Sequence, residues 1–83
     1  MRFTVITSPS ADDELALIWM NAPDPQAVAD ASDAIDQLLK HQPLQVGIVF
    51  GNDRLLHVSP LEVVYSVSPD DCRIRILRYG YRP

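Results

Sequence analysis

Cysteine is almost missing: the chain has one, Cys72. A lone thiol excludes a disulfide framework and a cysteine metal cluster. Histidine is as sparse, at His41 and His57, so neither a structural metal nor another cofactor is expected. Long apolar runs are missing too. No stretch approaches the roughly 20 residues of a membrane helix. The opening MRFTVITSPSADDE turns acidic before a signal-peptide h-region could form. The expectation is a cytoplasmic chain that engages no membrane. Glycine is limited to three residues, and none builds a phosphate-cradling loop. No Ser-His-Asp pattern and no carboxylate pair placed for acid–base work is present.

Positive charge is also short. Seven Lys and Arg stand against eleven Asp and Glu, for a net charge of −4 and a pI near 4.8. Broad, non-specific nucleic-acid binding needs a basic surface and is excluded. The deficit is uneven. Residues 1–53 hold two cations, Arg2 and Lys40, against eight carboxylates. Residues 54–83 hold Arg54, Arg73, Arg75, Arg78 and Arg82 against Glu62, Asp70 and Asp71. Either two helices have solvated acidic faces, or the arginines line a site for an anion or an acidic partner.

What remains is ordinary globular material. The 83 residues are 47% hydrophobic and 22% charged, which fits one domain spanning 1–83 with a thin core. Residues 2–7 alternate like a strand. Ser8-Pro9 then supplies a cap and a proline for the first helical position, and Asp12, Asp13 and Glu14 suit the helix N-terminus. Leu15, Ile18, Trp19 and Ala22 follow at helical spacing, with an end expected before Pro23. Asp24-Pro25 repeats the start signal. Val28, Ala31, Ile35, Leu38 and Leu39 form an apolar stripe that predicts a second helix to about His41. The short link predicts a helical hairpin. Residues 44–52 fit either an extended link or a short strand, and Gly51-Asn52-Asp53 marks a turn. Strands are predicted over 54–58, 61–68 and 72–79, with Ser68-Pro69-Asp70-Asp71 as a turn. Short turns make these three an antiparallel meander.

The predicted fold is α+β: a helical hairpin packed on one face of an antiparallel sheet, in the order β-α-α-β-β-β. In the last strand Arg73 and Arg75 share one face and Ile74 and Ile76 the other. With the isoleucines toward the helices, Arg73 and Arg75 fall on the open face as candidate binding residues, and Arg78 falls on the helix side. The alternative for the arginines is solvated pairing with Glu62 or Asp70. Tyr79 and Tyr81 either stack on a base or partner side chain or cover the end of a small core. Trp19 reads as core or interface, Tyr65 as core, and Cys72 as a small buried filler. His57 is read as a packed or rim residue ahead of a general base.

This order of elements resembles the RelE/ParE toxin superfamily. FTVITSPSADDELALIW resembles its opening strand and first helix, and DAIDQLLKHQP its second helix. RLLHVSPLEVVYSVSPDDCRIRILRYGYRP resembles its closing strands, which end in Leu-Arg-x-Gly-x-Arg. The resemblance covers almost the whole chain. It implies the toxin component, or a toxin-derived member, of a type II toxin–antitoxin pair that binds a cognate antitoxin. Members of one kind are metal-independent endoribonucleases that cleave messenger RNA on the ribosome. Those of another inhibit DNA gyrase. By position, Arg82 matches the arginine of the closing Gly-x-Arg, Arg78 the arginine before that glycine, and Arg54 a basic position in an earlier strand. With Tyr81 these are the candidate catalytic residues, and Arg73, Arg75 and Tyr79 are candidate binding residues. Two features depart from the ribonuclease pattern. Glu62 stands where many ribonuclease members carry arginine, and a carboxylate there repels phosphate. The late Tyr or His of the family motif has no counterpart before Pro83. A catalytically silent, homodimeric binding domain is the remaining alternative.

Overall fold

A computed structural model describes residues 2–83. The elements are β1 (Thr4–Thr7), α1 (Pro9–Asn21), α2 (Pro25–His41), β2 (Ile48–Phe50), β3 (Asp53–Val58), β4 (Leu61–Ser68), a 3₁₀ turn (Pro69–Asp71) and β5 (Arg73–Tyr81). The hairpin packs on one face of a five-stranded sheet ordered β1-β5-β4-β3-β2. No helix among the described residues is long and apolar enough to cross a membrane.

Both helix starts form as the sequence predicts. The Ser8 side chain accepts from the Ala11 amide and Asp24 from the Ala27 amide, with a proline at the first turn of each helix. The stripe of α2 supplies the centre of the core: Val28, Ala31, Ile35 and Leu39 are buried against Leu61, Val63, Tyr65, Ile74 and Ile76. Each such aliphatic side chain contributes about 1.5–3 kcal/mol on leaving water.

The sheet is antiparallel across β2 to β5, as expected for the meander, and gains a parallel pair where β1 runs along β5. The ambiguous 44–52 segment resolves into turns and β2, which pairs with β3 from Ile48–Leu55 to Phe50–Asp53. Asp53 joins the strand rather than the turn. At Gly47 the backbone has φ +72, and a Cβ would lie 2.6 Å from the Leu55 carbonyl oxygen. That position has room for no side chain.

One irregularity decides the faces of β5. The ladder pairs Tyr65 with Ile76 but Val64 with Arg78, so Leu77 is an extra residue, a β-bulge. The bulge resets the alternation. Tyr79 turns into the core and Arg78 turns outward. The expected helix-side position of Arg78 is thereby corrected, because simple alternation does not survive an inserted residue.

α1 also departs from expectation. Ala11 is its only buried residue, and Trp19 is 50% exposed. α2 occupies the middle of the sheet, while α1 lies along β5, where the Glu14 carboxylate accepts the Tyr79 backbone N–H at 3.2 Å. Leu17, Trp19 and Met20 remain open to solvent.

Candidate functional site

The seven candidate residues do not converge on one site. Arg54 sits opposite Tyr65, which is fully buried, and so lies on the helix side of the sheet. Its Nη2 donates to the carbonyls of Val46 (3.0 Å) and Gly47 (3.3 Å). The Tyr65 hydroxyl donates to Pro43 (2.8 Å) and Val46 (3.1 Å). Together they hold the segment between α2 and β2. Arg54 Nε is buried with no hydrogen-bond partner in the structure. Its guanidinium is committed to carbonyls on the side of the sheet away from the open face.

Tyr79 is buried under the helices. Burial pushes its hydroxyl pKa up from the ordinary value. A hydrogen bond with Ser32 works against that rise, and the Asp36 and Asp12 carboxylates add to it. Core cover, the second of its two readings, is the one the geometry matches. Tyr81 pairs with Leu61 and lines a shallow cleft with Leu17, Ile18, Asn21 and Ala22 beside the end of α1. It too lies away from the open face.

The other four arginines do reach that face or its margin. Arg73 and Arg75 project from it opposite Ser68 and Ser66, as the alternation predicts. Farther along β5, Arg78 borders a cleft of about 520 Å³ with Phe50, Asp53, Leu55, Glu62 and Val64. Each of the last two arginines has a carboxylate neighbour. Arg78 Nε is 3.7 Å from Glu14 Oε2, and Arg82 Nη1 donates to Glu62 Oε2 at 3.4 Å. Gly80 makes room for that second contact, since a Cβ there would stand 3.1 Å from Glu62 Cγ and Oε1. His57 Nε2–H donates to the Arg82 carbonyl at 2.7 Å, which ties the C-terminal end to β3. The open-face cleft, which Leu77, Tyr79 and Gly80 also line, therefore sets one arginine and two carboxylates among mostly apolar residues.

A second concavity was not foreseen. Between α1 and α2 runs a groove of about 530 Å³, walled by Leu15, Ala16, Trp19 and Met20 on one side and Val28, Ala29 and Ser32 on the other. Asp12 and Asp33 stand at its rim. The sequence carried a signal for it. Leu15, Leu17, Ile18, Trp19 and Met20 make α1 apolar on more than one stripe, and such a helix has more apolar surface than one sheet can cover. Among the described residues, no group of three His, Cys, Asp or Glu side chains is placed to hold a metal ion.

No protein-family model matches this sequence, and no curated protein matches it. Solved structures do. A chain of the toxin–antitoxin complex RelBE2 from Mycobacterium tuberculosis is similar over 99% of this chain and 93% of its own, at 19% identity and a TM-score of 0.83. The chromosomal ParDE toxin–antitoxin system of P. aeruginosa matches over 99% of this chain and 98% of its own, at 19% identity and a TM-score of 0.71. The isolated E. coli RelE toxin matches over 98% and 85%, at 10% identity and a TM-score of 0.68. The fold is that of the RelE/ParE toxins.

Proposed function

We propose that this chain is the toxin component, or a toxin-derived member, of a type II toxin–antitoxin pair, and that its principal act is to bind a cognate antitoxin. The observation that carries the proposal is the end-to-end likeness to a chain of the RelBE2 toxin–antitoxin complex. The helical groove supports it. It offers a partner an apolar surface containing Trp19 and Met20, the latter 69% exposed, of the kind that marks interaction sites in small soluble domains. The scatter of the candidate catalytic groups supports binding over cleavage. Arg54 is engaged with carbonyls, Tyr81 lies by α1, and Arg82 faces Glu62. The test is a search for a small protein encoded beside this chain and co-expression with it. A stable complex is the expected result, and a partner that never co-purifies would refute the reading.

One observation favours a second reading, metal-independent cleavage of ribosome-bound messenger RNA. Arg78 opens onto the open-face cleft, and Arg82 and His57 lie at its margin. Arginine suits phosphate through its planar donor fork. Messenger RNA cut in a translation mixture, and spared by Arg78→Ala and Arg82→Ala, would establish it. Intact RNA with blocked supercoiling would point to DNA gyrase instead.

A further inference from the structure

The groove between α1 and α2 is acidic as well as apolar. Asp12 and Asp33 border it and are both exposed. No ion pair engages either of them among the described residues. Farther along α2, Asp30 accepts from Gln26, and Asp36 holds Lys40 at 2.8 Å. Arg73 and Arg75 lie on the open face, with the sheet between them and the groove, and Arg78 is turned to Glu14 rather than to Asp12 or Asp33. Among the described residues, Asp12 and Asp33 thus keep their charge without an ion-pair partner.

We infer that this groove takes a cationic amphipathic helix, with an apolar stripe for the floor and Lys or Arg on both flanks for the rim. The inference rests on the antitoxin-binding reading and names the chemistry of the segment that binds. Ala16 and Ala29 are small, so a third helix can approach closely and seat its i, i+3, i+4 and i+7 side chains beside Trp19 and Met20. Lysines flanking that stripe fall near Asp12 and Asp33, where opposite charge favours encounter and register. An acidic segment would set carboxylate against carboxylate. A second copy of this chain is disfavoured for the same reason, because an isologous contact brings two acidic grooves together.

Trp19 is the only tryptophan and forms part of the groove wall, so its emission reports occupancy directly. The full chain is titrated with two synthetic helices of about 18 residues, long enough to be helical on the surface. Both carry the same leucine stripe. One has lysine flanks and the other glutamate flanks. The lysine helix should shift Trp19 emission to the blue and bind about tenfold more tightly at low salt, and the difference should shrink near 0.5 M salt. Asp33→Lys should narrow the preference further, with thermal melting to show that the variant is folded.

Equal affinity for the two helices, a preference for glutamate, or no response of Trp19 would overturn the inference. So would sedimentation as a dimer with Trp19 covered. The comparison of peptides on the natural chain stands even if the variant fails to fold. A neighbour-encoded partner that binds natural and Asp33→Lys chains equally would overturn the charge inference alone. A lysine preference with no such partner would overturn the antitoxin reading alone.

Discussion

Replacing Arg54 by alanine separates a structural from a catalytic role for this residue. The guanidinium spans two carbonyls in the α2–β2 connection, at Val46 and Gly47. A hydrogen bond from a charged donor contributes roughly 1.5–3 kcal/mol net, and a buried carbonyl left unpaired costs about 1–3 kcal/mol. Part of this is recovered, because Val46 keeps the Tyr65 hydroxyl at 3.1 Å, and the buried Nε that lacked a partner is removed with the side chain. The expected loss is about 2–4 kcal/mol, a large fraction of what a domain this small possesses. Urea unfolding followed by far-UV circular dichroism measures it. Tyr65→Phe should cost about 1 kcal/mol. The pair should be non-additive, because both side chains use the Val46 carbonyl. If Arg54→Ala kept full stability while abolishing growth arrest or RNA cleavage, the scaffold role would be refuted.

Three other outcomes are expected. Ile35 is completely buried at the centre of α2, so Ile35→Ala should lose about 2–5 kcal/mol, read by thermal melting as a protein unfolded or nearly so. Gly47→Ala should cost more than about 1 kcal/mol in urea unfolding, since φ +72 disfavours a Cβ and the Leu55 carbonyl blocks it. Burial raises the Tyr65 and Tyr79 hydroxyl pKa above the ordinary tyrosine value, so the folded state holds those protons more tightly than the unfolded chain. Their contribution is complete below the unfolded pKa and is lost as pH rises above it. Stability should therefore fall above about pH 10, with a shallower slope in Tyr79→Phe. An unchanged slope in that variant would remove Tyr79 from the account.

The helical hairpin was readable because its signals are local. Ser8-Pro9 and Asp24-Pro25 start helices through their own side chains and φ angles, and the spacing from Val28 to Leu39 defines one face without reference to anything distant. The three meander strands were readable for the same reason. The features that escaped are set by partners outside the element that carries them. β2 has only three residues, all exposed, and owes its existence to the β3 edge. Arg54 matched a basic position of the family and read as a candidate catalytic residue, but the register against Tyr65 turns it inward, and the Val46 and Gly47 carbonyls become its partners. Trp19 fits a helical stripe, yet the sheet area was already taken by α2. Neither Arg78 nor Tyr79 carries a mark of the bulge before it. Alternation from Ile74 and Ile76 put Arg78 in the wrong layer.

That bulge changes what a mutation at Leu77 can mean. Leu77 itself is only partly buried, and its carbonyl accepts from the Ser8 hydroxyl at 3.3 Å, a bond that the backbone makes whatever the side chain. Many residues could stand there. Removing the residue altogether would pull Tyr79 out of the core and drive Arg78 into it. At this position the chain stores information in its count of residues rather than in their identity. Substitutions should drift freely, while a single-codon deletion should be as damaging as the loss of a core side chain.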